Sequence, residues 1–270
     1  MRRFSIFGGI ERAILALSAA ALLSSAGLAQ QRNATATNSC DLQVLGTATV
    51  SAVQDGRTFT TADGREVRLA GIEVPPPDTP AGIASKAALA ALITEKSLTL
   101  KRLGTGEDRY GRVLAVAFGE DGSSIQRAML STGWAFVAAR VGPSACAAEL
   151  FSAEQPAREN QRGLWADAAF KPKRAENPDE ILAAKGRFAL VEGKILSVRE
   201  SGATIYMNFS RRWSQGFSVT ILKRHQRAFA AAGIEPKRLE GQRIRVRGVI
   251  EQRSGPSLEA SRPEQIEVVN

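Results

Sequence analysis

The chain has 270 residues, a formal net charge of +9, one histidine and two cysteines. This length corresponds to one or two domains, and an apolar fraction of 44% is enough to bury a core. One histidine excludes a multi-histidine metal site, and two cysteines exclude a four-cysteine zinc or iron–sulfur site. A Ser-His-Asp triad would need His225, which lies in the run Lys-Arg-His-Gln-Arg and is predicted to lie on a solvated basic face.

Residues 1–29 are predicted to be a signal peptide. Arg2, Arg3 and Arg12 precede a short apolar stretch at 13–23, and small residues then lead to the expected cleavage site near Ala29. The apolar stretch is too short to span a bilayer comfortably; an uncleaved membrane anchor is the alternative. Residues 30–43 are predicted to be a flexible leader. We therefore expect an exported protein, periplasmic or secreted, with no membrane span in the mature chain.

Export decides how Cys40 and Cys146 are interpreted, because both remain after cleavage. An isolated pair in an oxidising compartment is expected to form a disulfide. The bridge would close a loop of about 105 residues and contribute about 4–5 kcal/mol in the chain-entropy model. Two buried thiols are the alternative.

Residues 44–167 are predicted to form one domain of strands with helices. Two Asp-Gly turn signals, at 55–56 and 63–64, separate the first three strands. Pro75–Pro77 are predicted to lie in a loop, because proline lacks the backbone donor that a sheet requires. The predicted elements are strands at 46–53, 57–61, 66–72, 98–102 and 112–118, helices at 81–95, 124–131 and 147–161, and a loop at 104–111.

The remaining chain divides into a linker and a second domain. Residues 168–185 are polar, contain proline and lack periodicity, so we treat them as a linker. Residues 186–270 contain five short predicted strands and one helix, which suit a small OB-like β-barrel. This domain carries a net charge of +7, whereas residues 30–185 are neutral. The positive charge of the mature chain therefore belongs to the second domain.

Four segments of the first domain occur in a fixed order. They are Val-Gln-Asp-Gly-Arg-Thr-Phe at 53–59, Val-Arg-Leu-Ala-Gly-Ile-Glu-Val-Pro at 67–75, Asp-Arg-Tyr-Gly-Arg-Val-Leu-Ala at 108–115, and Gly-Leu-Trp at 163–165. Together they resemble the thermonuclease (staphylococcal nuclease) family over residues 44–167. The resemblance implies a mainly β, α+β fold in which helices pack on an OB barrel. It also implies calcium-dependent cleavage of DNA and RNA phosphodiesters by water.

The resemblance assigns roles to individual positions. The family's two phosphate-facing arginines correspond to Arg68 and Arg112, which would stabilise negative charge in the transition state. Its two metal-binding aspartates correspond to Arg57 and Glu73, and its catalytic glutamate corresponds to Pro76. Arg68, Arg112 and Glu73 are therefore the candidate catalytic residues. Glu73 is the only remnant of the metal site, and no resident cofactor is expected unless an active site binds calcium.

A cationic site that has lost its carboxylates binds anions and repels a divalent cation. Arg57 joins Arg68 and Arg112 as a candidate phosphate-binding residue for this reason. The alternative for Arg68 and for Arg112 is that each forms a structural ion pair and has no part in binding or catalysis. Asp78, two residues beyond Pro76, is the one carboxylate that we consider as a substitute base.

The second domain contains further candidate polyanion-binding residues. Arg243, Arg245 and Arg247 alternate along a predicted strand and therefore share one face. Arg211 and Arg212 lie among aromatic residues that are suited to stacking on single-stranded bases. The alternative places the aromatic residues Phe209, Trp213 and Phe217 in the core and leaves the arginines as solubilising groups.

These residues predict a protein that binds nucleic acid or another polyanion without efficient hydrolysis. An active metal-dependent nuclease with a rearranged site, and a structural envelope protein that binds a protein partner, are the alternatives. Whether the protein is an enzyme is therefore open on the sequence alone. A cleavage assay with calcium, magnesium or chelator separates the first two hypotheses, and the salt dependence of nucleic-acid binding separates both from the third. No oligomeric state is predicted.

Overall fold

A computed structural model describes residues 40–269, except Trp213 and the side chains at 104–105. The predicted signal peptide, and residues 30–39 of the predicted leader, lie outside the described residues. Among the helices of the described part, none combines the length and apolar character needed to cross a membrane.

Strands β1–β7 and helices α1–α3 make up the first part of the described chain. Strands β1, β2, β3, β6 and β5 close into a barrel in that order, with β3 and β6 parallel. The expected OB-like barrel with accompanying helices is thereby confirmed. The bounds are β1 Val44–Val53, β2 Thr58–Thr61, β3 Glu66–Leu69, β4 Ile72–Glu73, α1 Pro80–Ile93, β5 Ser97–Glu107, β6 Val113–Phe118, α2 Ile125–Ser131, β7 Phe136–Val137 and α3 Ser144–Glu159.

Alternation along β3 separates the core from the candidate site. Val67 and Leu69 are buried in the barrel core, whereas Arg68 between them is half-buried on the other side of the strand, as the two-residue period of a strand requires. The proline loop then packs on the first turn of α1. A side chain at Gly82 would place its Cβ only 1.8 Å from the carbonyl oxygen of Pro76, so glycine is needed for this close approach.

The expected disulfide is present between Cys40 and Cys146, whose Cα atoms are 4.5 Å apart. It ties the segment before β1 to the first turn of α3. Several boundaries differ from the expectations, and the predicted strand at 66–72 ends at Leu69, with Ile72–Glu73 forming the separate strand β4. Strand β5 continues to Glu107, into the predicted loop, and α3 begins at Ser144 rather than at 147.

The second part of the chain builds two sheets around a second apolar core. One sheet has the order β10-β11-β12-β15-β14, and the other has the order β16-β13-β9-β8. A second β-rich domain is thus confirmed, although its described strands form two sheets around one core rather than the single small OB-like barrel that the sequence suggested. The bounds are β8 Lys173–Arg174, α4 Pro178–Leu182, β9 Phe188–Lys194, β10 Ser197–Ser201, β11 Thr204–Asn208, β12 Ser218–Leu222, α5 Gln226–Ala231, β13 Arg243–Val249, β14 Glu251–Gln252, β15 Pro256–Glu259 and β16 Ile266–Val268.

Residues 168–185, which the sequence analysis treats as a linker, carry packed elements. Strand β8 pairs in parallel with β9, and Ile181 of α4 is fully buried in the second core. The elements within residues 168–185 are too short to show a periodicity, which explains why the sequence pattern indicates a linker. A small apolar cluster, including Phe136, Trp165 and Leu190, joins the two parts of the chain.

Candidate anion-binding site

Three arginines meet at one edge of the barrel. Arg68 of β3 lies opposite Thr58 of β2 on one side and Leu114 of β6 on the other. Arg57 comes directly before β2, and its carbonyl oxygen accepts a hydrogen bond from the backbone of Leu69 (2.7 Å). Arg112 comes directly before β6. The closed barrel therefore brings the distant Arg112 beside Arg57 and Arg68 of the β2–β3 hairpin.

Arg57 is neutralised by the predicted remnant of the metal site. Its guanidinium forms a bidentate ion pair with the carboxylate of Glu73 and donates to the carbonyl oxygen of Ile72 at 3.1 Å. Asp55 accepts a hydrogen bond from the backbone N–H of Arg57 at 2.8 Å. Both side chains of the ion pair are mostly buried, with 15% of Arg57 and 24% of Glu73 exposed. Bidentate geometry of this kind is the strong form of an arginine–carboxylate pair.

Arg112 is held by Asp108, four residues earlier. Its Nη2 and Nε atoms lie 2.6 and 2.8 Å from Asp108 Oδ2. Asp108 Oδ1 also accepts the backbone N–H groups of Tyr110 and Arg112. Burial alone raises the pKa of Asp108, but the hydrogen bonds from Arg112 and Tyr110 outweigh it and lower the pKa below its ordinary value. The loop arginine is thus fixed in position.

Arg68 differs from both neighbours. Among the described residues, its guanidinium has neither a hydrogen bond nor an ion pair. Its pKa is lowered first by burial and then by the positive charges of Arg57 and Arg112, which Glu73 and Asp55 offset only in part. An arginine stays protonated at neutral pH even so. A half-buried cation without a partner, beside two other cations, is a site that an anion would stabilise.

The residues present do not fit calcium. The ion prefers six to eight oxygen ligands, usually from several carboxylates. Arg57 stands where the resemblance implies a metal ligand, and it engages both oxygens of Glu73. No group of three or more His, Cys, Asp or Glu side chains in the described part of the chain is arranged to hold a metal. A divalent cation here would have to displace a guanidinium.

Asp78, the carboxylate considered as a substitute base, is exposed in the loop before α1. It is not among the described residues that line the cleft beside Arg57 and Glu73.

Two features that position the site escaped the sequence analysis. Strand β4 pairs with β7, which places Glu73 opposite Phe136 and Ile72 opposite Val137. Gln126 is fully buried, donates to the carbonyl oxygens of Ala115 (2.9 Å) and Ala70 (3.2 Å), and so ties β6 to the end of β3. A polar residue within an apolar helix pattern was the available signal for Gln126. The two-residue pairing of β4 with β7 left none.

Comparison with known proteins identifies the family of the first part of the chain. The family model described as "Staphylococcal nuclease homologue" matches residues 66–167. An uncharacterized endonuclease of Escherichia coli is 30% identical over 122 residues, which cover 44% of this chain and 76% of that protein. The chain belongs to the staphylococcal nuclease family. The probable staphylococcal-like nuclease CAN1 of Oryza sativa subsp. japonica is 36% identical over 110 residues, or 40% of this chain and 30% of that protein.

In the second part of this staphylococcal nuclease family member, the structure corrects the prediction of a polyanion-binding face. Arg243, Arg245 and Arg247 do share one face of β13, but the neighbouring strands place carboxylates on it. Glu192 of β9 binds Arg243 at 2.9 Å and Arg245 at 3.0 Å. Glu267 of β16 lies opposite Arg245. The face is therefore largely neutralised.

Arg247 is fully buried and is not available to a polyanion. Its guanidinium forms a bidentate pair with Glu154 of α3 at 3.0 and 3.1 Å and binds Glu267 at 2.6 Å. It also donates to the carbonyl oxygen of Val137 at 3.0 Å. The prediction was wrong because helix α3 of the first part packs on this end of the strand, which strand alternation alone does not reveal.

Two of the three aromatic residues around Arg211 and Arg212 follow the core alternative. Phe209 and Phe217 are buried, with ring centroids 5.2 Å apart, whereas Trp213 lies outside the described residues. Arg211 and Arg212 are exposed at the turn between β11 and β12. They remain candidates for a phosphate contact, without the buried aromatic rings as stacking partners.

Proposed function

We propose that this protein binds nucleic-acid phosphates through Arg68 and its neighbouring arginines without hydrolysing them efficiently. The observation that carries the proposal is the unpaired guanidinium of Arg68 between two arginines whose own carboxylates hold them in place. An arriving phosphate accepts a bidentate pair of hydrogen bonds from Arg68. Arg57 and Arg112 add to the positive field.

Efficient hydrolysis would require groups that these residues do not supply. A base must take a proton from the attacking water, and a hard cation must polarise the phosphoryl oxygen. Glu73 is engaged by Arg57 through both of its oxygens, and Asp108 is engaged by Arg112. Position 76, where the resemblance implies the catalytic glutamate, is proline. Binding is therefore favoured over cleavage.

We further propose that the protein acts after export, in the periplasm or outside the cell, as its N-terminal sequence predicts. The disulfide between Cys40 and Cys146 supports an oxidising compartment. The second candidate function is a metal-dependent nuclease, calcium being the family's usual ion. The relatives named as endonucleases favour it.

One experiment separates the two candidates. The mature chain, starting at residue 30, is assayed for binding to a labelled single-stranded oligonucleotide and for cleavage of it with calcium, magnesium or chelator. We expect binding that weakens with salt, is lost in Arg68→Ala, and is unaccompanied by metal-dependent cleavage. Arg65→Ala is the matched control, because this arginine is exposed on the same hairpin and pairs with Asp63. Chelator-sensitive cleavage that disappears in Arg112→Ala would establish the nuclease instead.

A further inference from the structure

A cleft of about 650 Å³ runs from the candidate site to the second part of the chain. One wall belongs to the barrel and includes Arg57, Glu73 and the proline loop. The other wall is built largely from residues 168–185, the predicted linker, and from the start of β9. This second wall includes Phe170, Lys171, Lys173, Arg187 and Phe188.

The second wall presents cations that the protein itself does not neutralise. Lys171 is exposed, and no carboxylate of the described residues pairs with it. Arg187 donates to the carbonyl oxygen of Ala183 but forms no ion pair within the same residues. Lys173 is partly neutralised by Glu180 at 3.5 Å. An anion that extends from the arginine cluster along the cleft would therefore meet further positive charge.

Between these cations the cleft is apolar. Phe170 and Phe188 are half-buried, and their ring centroids lie 6.1 and 6.2 Å from that of Phe136 in the cleft. Pro75, Pro76 and Pro77 line the barrel wall of the same cleft. Aromatic surface bordered by cations is the arrangement that holds single-stranded nucleic acid, whose bases stack while its phosphates are neutralised. A duplex keeps its bases stacked inside and offers only phosphates to such a cleft.

We propose that this cleft binds the nucleotides that adjoin the phosphate held at Arg68, and that the ligand is a single strand. The inference rests on the proposed function, because the cleft begins at Arg57, which lies beside the phosphate site at Arg68. The second part of the chain then supplies nucleotide subsites that the nuclease-like barrel lacks. Lys171 and Arg187 bind the backbone phosphates, and Phe170 and Phe188 contact the bases.

The test measures dissociation constants of the mature chain for fluorescein-labelled thymidylates of 3 and 12 nucleotides and for a 12-base-pair duplex. For Lys171→Glu/Arg187→Glu we expect affinity for the 12-mer to fall about tenfold or more. The slope of log K against log salt should become shallower by about 1.4, which corresponds to two phosphate contacts on a single strand. Affinity for the 3-mer should stay within about twofold of wild type. Phe170→Ala, a separate variant in case the charge reversal unfolds the protein, should weaken 12-mer binding about fivefold or more.

The matched control is Lys96→Glu/Arg127→Glu, which makes the same charge change at two exposed residues outside the cleft. An equal loss in this control, unchanged 12-mer binding by both cleft variants, or equal affinity for the duplex would overturn the proposal. If wild type binds and Arg68→Ala does not, while both cleft variants behave as wild type, only the cleft assignment fails. If wild type binds none of the three ligands, the proposed function fails and the cleft assignment fails with it.

Discussion

At position 57 a single side chain decides the sign of the charge that the site presents to a metal. The guanidinium of Arg57 binds both carboxylate oxygens of Glu73. The backbone N–H of Arg57 donates a hydrogen bond to the carboxylate of Asp55. Arg57→Asp would release Glu73 and place a third carboxylate between the two. The affinity of a protein site for a hard cation such as calcium depends on the number of such carboxylate ligands. Under the proposed function, weak calcium binding and the binding of an anion would both follow from the arginine at this one position.

We therefore expect Arg57→Asp to bind calcium with a dissociation constant of about 10⁻⁴–10⁻³ M, the range of weak protein sites, measured by isothermal titration calorimetry. Arg57→Ala is the control, since it frees Glu73 without adding a ligand. Adding Pro76→Glu to Arg57→Asp should give cleavage of single-stranded DNA that chelator abolishes, because a base is then present as well. Equal calcium affinity in the Asp and Ala variants would contradict this account.

At the scale of elements, the junction between α3, β7 and β13 depends on one buried ion pair. Arg247 and Glu154 are 0% and 1% exposed, and Glu154 also accepts the backbone N–H of Val137 at 2.7 Å. Burial alone lowers the pKa of Arg247, but Glu154 and Glu267 outweigh it and raise the pKa above its ordinary value. Strand β7 in turn pairs with β4, which carries Glu73. The junction therefore supports the candidate site as well as the second sheet.

Arg247→Met should lower the free energy of unfolding by about 3–5 kcal/mol, because it leaves the charge of Glu154 buried and unpaired. The double variant Arg247→Met/Glu154→Gln should recover much of this loss, since replacing both members of a buried pair is often close to neutral. Urea unfolding of the single and double variants measures the coupling. Additive losses would show that the two side chains stabilise the junction independently.

The barrel was predictable from sequence and the junction was not, because the contacts that form the junction join residues far apart in the chain. Strand alternation and the Asp-Gly turns are local patterns, and they correctly indicated the first strands of the barrel. The partner of Arg247 lies 93 residues away, and no local pattern indicates it. Asp108 lies within the recognised motif, yet its hold on Arg112 depends on how the loop folds back. The cleft combines a segment without periodicity with a distant proline loop, so only the folded chain reveals it.

At the scale of the whole molecule, the carboxylates that join the two parts make stability depend on pH. Glu267 of β16 accepts from Arg158 of α3 at 2.8 Å and from Arg247 at 2.6 Å, and Arg245 lies 3.8 Å away. Burial alone raises the pKa of Glu267, but the charge and hydrogen bonds of Arg247 and Arg158 outweigh it and lower the pKa below 4.5. The folded state therefore favours the ionised form. Its contribution is fully present above about pH 4.5 and is lost as pH falls through the lowered pKa.

Glu267→Gln should consequently be less stable than wild type by about 2 kcal/mol at pH 7, the typical value for hydrogen bonds to charged groups. The gap should shrink as pH falls below 4.5, because wild type then loses the same ionised carboxylate. Urea unfolding of both proteins at pH 7, 5, 4 and 3.5 measures this difference in the free energy of unfolding. The contributions of the carboxylates that the two proteins share cancel in the difference. Glu264 should show the opposite pH dependence, because burial raises its pKa. The free energy of unfolding of Glu264→Gln should therefore increase relative to that of wild type as pH rises. A gap for Glu267→Gln that stays constant down to pH 3.5 would mean that this carboxylate does not couple the two parts through its charge.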